Sequence, residues 1–98
     1  MLDLQPHQAR IAQLCGSLSV HQLELFGSAT REHFGPESDI DVLVSFRGKE
    51  HLFDRYFDLK EGLERILGRT VDVVMPTAIR NPIFQAQVDR ERRRIYAS

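Results

Sequence analysis

Three aspartates stand in or beside apolar segments of this sequence, where carboxylates are unusual. Asp39 and Asp41 open the run DIDVLVSF, and Asp72 interrupts the apolar run TVDVVM. A carboxylate within a hydrophobic strand is disfavoured by strand propensity and by the loss of water, unless a counter-charge compensates it. Magnesium takes oxygen ligands and usually binds through one or two carboxylates together with substrate phosphates. The three aspartates therefore predict a site for a divalent cation.

A phosphate-binding turn is predicted upstream of these aspartates. Gly27 and Ser28 follow the alternating segment QLELF. Glycine lets the chain turn sharply and lets backbone amides approach a phosphate, and Ser28 adds a hydroxyl at the start of a short helix. Arg31, one helical turn later, is placed to bring a guanidinium to the same phosphates. On its own the Gly-Ser pair is more typical of an ordinary capped turn, and its spacing from Asp39 is what favours phosphate binding.

Each aspartate also has an ordinary structural interpretation. Asp39 is suited to cap a loop end, while Asp41 and Asp72 would be unremarkable if they faced solvent from one side of a sheet. The combination favours a catalytic, metal-binding role over these structural ones. A Gly-Ser pair followed by ten residues and then Asp-x-Asp is expected by chance on the order of once in a thousand chains of this length. A period of two also places Asp39 and Asp41 on the same face of their strand.

The segments that carry these residues alternate between helical and extended patterns. Strands are predicted at 22–26, 39–46 and 70–75, with a short one at Ile95 and Tyr96; helices are predicted after Pro6, at 28–33, from Leu52 to Leu67 and from Asn81-Pro82 onward. This order predicts an α/β fold, a small mixed β-sheet flanked by helices, in a single domain spanning residues 1–98. We expect the apolar stripes of the helices to cover one face of the sheet.

Composition limits the classes of function. Of 98 residues, 42% are hydrophobic and 28% are charged, and the formal net charge is -1, which argues against generic nucleic-acid binding. No apolar stretch approaches the ~20 residues that a membrane-spanning helix needs, so we expect a cytoplasmic protein. The four histidines lack the spacing of metal ligands.

Four features outside the motif also give expectations. Cys15 falls in an apolar helical pattern and should be a buried hydrophobe. Phe53 belongs to the apolar stripe of the long helix, whereas Phe57 lies just off it and should be exposed. The arginines Arg90, Arg92, Arg93 and Arg94 are most typical of a solvated helix end.

The segments LFGSATREHFGPESDIDVLV and VDVVMP resemble the minimal nucleotidyltransferase family, the small members of the DNA polymerase beta superfamily, and the resemblance covers nearly the whole chain. It implies that Asp39 and Asp41 bind two Mg²⁺ ions and that Asp72 helps to bind the ion nearer the acceptor and orients or deprotonates that acceptor. ATP would be the substrate, its α-phosphorus attacked and its phosphates held by Gly27, Ser28 and Arg31. Glu32 stands where many relatives have a small residue or glycine. This departure from the family pattern affects the assignment of Arg31 and does not affect that of the aspartates.

The resemblance also implies a partner protein. Minimal members are often paired with a HEPN-domain protein in two-gene toxin–antitoxin systems, and some AMPylate a tyrosine of the HEPN toxin. We therefore expect a magnesium-dependent nucleotidyltransferase that transfers AMP from ATP to a hydroxyl of a cognate HEPN toxin. One alternative is a non-catalytic module that neutralises a HEPN partner by steric contact. Transfer to a small molecule such as an aminoglycoside is a third possibility, although it should require a second domain. The sequence leaves the base preference and the oligomeric state open.

Overall fold

The fold consists of a four-stranded β-sheet and three α-helices, seen in a computed structural model that describes residues 3–30, 35 and 38–98. In chain order the elements are α1 Gln8–Ser17, β1 Val20–Phe26, β2 Ile40–Phe46, α2 Leu52–Leu67, β3 Val71–Val74, α3 Pro82–Glu91 and β4 Arg93–Ala97. Short 3-10 turns cover Gln5–His7, Gly27–Thr30 and Pro76–Ala78. The predicted α/β class is confirmed. Of the helix predicted at 28–33, the described part is a 3-10 turn, and 31–34 lie outside the described residues.

The sheet is mixed, as predicted, with the strand order β3-β2-β1-β4. Strand β1 is antiparallel to β2 and β4, whereas β2 and β3 are parallel. A parallel pair needs a long crossover connection, and α2 provides it. The register of the parallel pair places Asp41 beside Asp72, and the antiparallel register places Phe26 on the other side of Asp41. The sheet therefore brings together residues that are far apart in the sequence.

Helices α1 and α2 pack on one face of the sheet and form the larger core. Its buried members come from both helices, from strands β1, β2 and β3 and from the turn after β1: Ile11, Cys15, Val20, Leu23, Leu25, Ala29, Ile40, Val42, Val44, Leu59, Leu63, Val71 and Val73. Cys15 is fully buried, as predicted, and burial raises the pKa of its thiol to about 12. A thiol that stays protonated is a weak nucleophile, so Cys15 serves as a packing residue.

Helix α3 packs on the opposite face, so the expectation that the helices cover one face is wrong. Val88 of α3 is buried with Phe26 and Leu43, side chains that alternate away from the larger core. The start of α3 follows the prediction: the side-chain oxygen of Asn81 accepts hydrogen bonds from the backbone N–H groups of Ile83 at 2.9 Å and Phe84 at 3.4 Å. The second face thus has a small core of its own.

All four arginines are exposed, as predicted, but Arg92 also has a structural role, and Arg93 and Arg94 belong to β4. Arg92 ends α3 and pairs with Glu24, which is only 7% exposed on β1. Its Nε donates to one carboxylate oxygen at 2.9 Å, a second guanidinium nitrogen donates to the other, and Asp89 accepts a further bond at 3.0 Å. These hydrogen bonds raise the pKa of Arg92 further. The pattern failed to predict this because Glu24 occupies a strand position whose covering helix is distant in sequence.

At the first turn of α2, one residue of the predicted apolar stripe is exposed instead of buried. Phe53 is 75% exposed rather than packed in the core, and its ring centroid lies 4.7 Å from that of Phe57, which is exposed as predicted. Tyr56 instead turns towards the sheet, where its hydroxyl donates to the carbonyl oxygen of Val73 at 3.0 Å. Within the described residues, none of the helices is both long and apolar enough to cross a membrane.

Replacing Arg92 with alanine should destabilise the fold. Because Glu24 would remain buried without its partner, we expect a loss of about 2–3 kcal/mol, somewhat below the range for fully buried pairs since the Arg92 side chain is 36% exposed. Urea denaturation measures the change. Arg90→Ala, an exposed arginine two residues earlier, is the matched control and should stay within about 0.5 kcal/mol of the parent. Equal losses in the two variants would contradict the assigned role of the ion pair.

Candidate active site

Two of the predicted site residues, Asp41 and Asp72, are neighbours on adjacent parallel strands. Asp41 is the second residue of β2, Asp72 is the second residue of β3, and the register pairs them directly. Paired residues of neighbouring strands project from the same face of a sheet. Their face is the one that α3 partly covers, where Asp41 is half-buried and Asp72 is exposed. Asp39 is exposed and lies immediately before β2.

Contacts from the end of α2 hold the two strand entries. Arg69 donates to the carbonyl oxygen of Ser38 at 3.0 Å, directly before the first aspartate. Glu64 accepts a hydrogen bond from the backbone N–H of Val71 at 3.0 Å, directly before the third aspartate. The crossover helix and the turn after it, which carries Arg69, therefore fix the backbone on both sides of the site as well as connecting the strands. Sequence reasoning did not identify these positioning residues.

Negative charge is concentrated around Asp41. Burial, followed by the neighbouring carboxylates of Asp72, Asp39 and Glu91, raises the pKa of Asp41 from its ordinary value of 3.8 to about 6. Glu91 belongs to α3, and the sequence analysis did not identify it. A usable signal existed, because Glu91 lies three residues after the buried Val88 and so falls on the side of α3 that faces the sheet.

Gly27 is constrained twice. Its φ of +72° lies in the left-handed region, which favours glycine. A Cβ atom at this position would also overlap the carboxylate of Asp41. The hydroxyl of Thr30 donates to the carbonyl oxygen of Gly27 at 2.7 Å and closes the turn. The backbone of Ser28 belongs to this turn, while its side chain and the whole of Arg31 lie outside what the structure describes.

The donor chemistry of the site fits a hard cation. Asp41 and Asp72 offer carboxylate oxygens, and their mutual repulsion is of the kind that a divalent ion relieves. Across residues 3–30, 35 and 38–98, no three His, Cys, Asp or Glu side chains converge closely enough to hold a metal ion. Magnesium does not require three, because it commonly binds through one or two carboxylates and completes its shell with water and substrate phosphates.

A cleft opens beside the carboxylates, between α3 and the ends of β1 and β2. Its volume is about 290 Å³. One wall is formed by Phe26, Gly27 and Asp41, and the other by Phe84, Gln87 and Glu91, with Val88 also lining it. The rings of Phe26 and Phe84 meet edge to face, with centroids 6.2 Å apart. The cleft is therefore aromatic at one part of its wall and acidic at another.

The sequence is similar to those of known proteins. The family model for polymerase beta nucleotidyltransferases matches residues 10–98. A protein of Methanocaldococcus jannaschii, provisionally named a protein adenylyltransferase, is 37% identical over 73 residues, which are 74% of this chain and 73% of that protein. The protein adenylyltransferase MntA of Thermococcus cleftensis is 32% identical over 82% of this chain and 77% of its own length.

Solved structures agree with these sequence matches. A structure provisionally described as a minimal nucleotidyltransferase superposes with a TM-score of 0.76 and 30% identity, covering 92% of this chain and 90% of that one. A toxin–antitoxin structure with AMP-PNP superposes with a TM-score of 0.72 over 94% of this chain and 74% of that one, and at 20% identity it supports the fold alone. Since the family model spans nearly all of the sequence and the fold agrees with it, the chain belongs to the polymerase beta nucleotidyltransferase family.

Proposed function

We propose that this protein transfers AMP from ATP to a hydroxyl of a cognate HEPN-domain toxin, that of a tyrosine, and thereby acts as its antitoxin. The observation that carries the proposal is the direct pairing of Asp41 with Asp72 beside the Gly27 turn. This arrangement provides an anion-binding turn and paired carboxylates within one short stretch of sheet. Nucleotidyl transfer needs both, because it is catalysed mainly by positioning and by charge stabilisation.

Each part of the site has a role in the proposed reaction. Backbone N–H groups of the turn at Gly27 and Ser28 receive the phosphates of ATP, with Arg31 assisting. The acceptor approaches from the side of β3, where Asp72 is exposed and is placed to take the proton of the hydroxyl. The acceptor oxygen forms a bond to the α-phosphorus, the bond from that phosphorus to the bridging oxygen breaks, and pyrophosphate leaves.

The carboxylates of Asp39, Asp41 and Asp72 would hold the magnesium ions, two by the family resemblance. When bound, such ions neutralise phosphate charge and stabilise the attacking and leaving oxygens. The contribution of the chain is to keep the carboxylates in register. The strand pairing does this for Asp41 and Asp72, and the anchored entry into β2 does it for Asp39.

The choice of acceptor is supported by the relatives. Two similar proteins are named protein adenylyltransferases, one of them MntA. A further structure with this fold, at 19% identity, is an MNT antitoxin in complex with a tri-AMPylated Shewanella oneidensis HEPN toxin. A non-catalytic antitoxin would not require the charge repulsion that surrounds Asp41, because that arrangement destabilises a fold that only needs to bind.

Transfer should be visible as a mass change of the partner. After incubation of the cognate HEPN protein with this protein, ATP and magnesium, intact mass spectrometry should show gains in units of AMP. The variant Asp39→Asn with Asp41→Asn should abolish them, because it removes the charge that the reaction needs. Asp58→Asn on the exposed side of α2 is the matched control and should retain transfer.

The partner's activity decides between catalysis and steric binding. If the double variant still neutralises the toxin while no AMP is incorporated by either form, the proposed enzyme function is wrong and the binding module is correct. If incorporation persists in the double variant, the assignment of the aspartates is wrong.

The raised pKa of Asp41 predicts a pH-dependent stabilisation by Asp41→Asn. Between the ordinary value of 3.8 and the folded value of about 6, the native state binds the proton more tightly than the unfolded chain does, so stability falls as pH rises through this window. Asn removes that loss. In EDTA, the variant should therefore melt at a higher temperature than the parent at about pH 7.5, and the difference should shrink towards about pH 4. A gain that is equal at both values would contradict the electrostatic origin.

A further inference from the structure

We propose that the cleft beneath α3 is the nucleoside subsite of this enzyme, where Phe84 stacks on the base and Gln87 selects adenine. This inference rests on the proposed function, because it concerns the nucleotide that the proposed reaction consumes. It adds the part of the site that decides which nucleoside triphosphate is used. The inference depends on the position of the cleft, its charge and the chemistry of its walls.

Charge decides which part of a nucleotide can enter the cleft. Asp41 and Glu91 stand on opposite walls, and within the described residues the lining includes no lysine or arginine. On the wall opposite the magnesium ions that Asp41 would hold, the carboxylate of Glu91 would repel a triphosphate. Gly27 also lines the cleft, so the proposed phosphate turn lies at its rim. A nucleotide with its phosphates at that turn would place its uncharged end, the ribose and base, between the walls.

The acceptor side is accounted for by a different part of the sheet. Asp72 lies on β3, across Asp41 from β1, and it does not line the cleft. The cleft lies on the β1 side of Asp41, under α3. Asp41 therefore separates the two regions, and an acceptor hydroxyl near Asp72 would not compete with the contents of the cleft.

The aromatic wall suits a planar base. Phe26 is 5% exposed, whereas Phe84 is 40% exposed. The edge-to-face contact with Phe26 holds the Phe84 ring from one side and leaves part of the ring accessible. Bases stack on such rings with an energy that does not depend strongly on the base. Phe84 therefore supplies affinity for a nucleoside and little selectivity.

Gln87 supplies the selectivity. It lies three residues after Phe84 on the same side of α3, and its exposed side chain lines the cleft. A carboxamide presents one donor and one acceptor together, which match the acceptor ring nitrogen and the amino donor along one edge of adenine. The corresponding major-groove edge of guanine offers two acceptors and so forms only one of these two bonds. Because the carboxamide can form both hydrogen bonds only with adenine, the pocket favours adenine over guanine.

The wall that carries these side chains is fixed to the sheet. Val88 packs into the core of the second face, and the end of α3 is tied to β1 through the pair of Arg92 with Glu24. The helix is thus ordered before a ligand arrives, which lowers the entropy lost on binding.

Equilibrium binding without an acceptor tests the subsite. Isothermal titration calorimetry in the presence of magnesium would measure the affinity of the parent, Phe84→Ala and Gln87→Ala for ATP, GTP and inorganic triphosphate. Ile83→Ala and Gln85→Ala, neighbouring positions on α3 that do not line the cleft, are the matched controls. We expect Phe84→Ala to weaken ATP roughly tenfold or more, as for loss of a stacked base, and to leave inorganic triphosphate unchanged. Gln87→Ala should bring the ATP and GTP affinities together, and both controls should behave as the parent.

Three results would overturn the inference. They are equal affinity of the parent for ATP and GTP, equal weakening of ATP and inorganic triphosphate by Phe84→Ala, and an unchanged preference in Gln87→Ala. The last variant alters an exposed side chain, so it remains informative if Phe84→Ala folds poorly. Because no acceptor is present, failure of the parent to transfer AMP in the mass assay and failure of the parent to prefer ATP over GTP are separate results. The first would refute the proposed reaction, and the second would refute the subsite.

Discussion

The parallel pairing of β2 with β3 is the constraint on which the site depends. It places Asp41 and Asp72, which are 31 positions apart in the sequence, side by side on one face of the sheet. Parallel strands require a crossover, so α2 must be long enough to return the chain and apolar enough to pack on the far face. Glu64 of this helix and Arg69 in the turn after it then anchor the entries into both strands. Helix α2, with the turn after it, thus connects the parallel strands, contributes to the core and aligns the carboxylates.

The second face of the sheet combines stabilising and destabilising features. Phe26, Leu43 and Val88 form a small core there, and Arg92 compensates the charge of buried Glu24. A few ångströms along the same strands, burial and like charges work against the ionised form of Asp41. Sites that must bind ions and phosphates commonly reduce stability in this way, and the surrounding structure makes up the difference. Helix α3 contributes to both effects. Arg92, directly after its last residue, stabilises the fold through Glu24, and Glu91 adds negative charge near Asp41.

Much of this arrangement could be predicted from the sequence, because its signals are local. Alternation identified β2, the helical period identified α2, and Asn81-Pro82 marked the start of α3. The positions of Gly27 and the aspartates followed from spacing. Periodicity, however, shows that a helix has an apolar side without showing which face of the sheet will receive it. For that reason the face that α3 covers, the pairing of Arg92 with Glu24 and the position of Glu91 near Asp41 were not predicted, and the exposure of Phe53 at the first turn of α2 was missed.

The overlap between a Cβ at position 27 and the Asp41 carboxylate has a consequence for sequence variation in such proteins. Asparagine is the residue that most often replaces glycine in the left-handed region, because its short polar side chain tolerates positive φ. Here that substitution satisfies the backbone and still collides with the aspartate. Positions 27 and 41 should therefore vary together: glycine should accompany the aspartate, and asparagine should be tolerated where that carboxylate is absent or turns away. Paired changes at these positions would identify members of the family in which this turn and this carboxylate no longer meet.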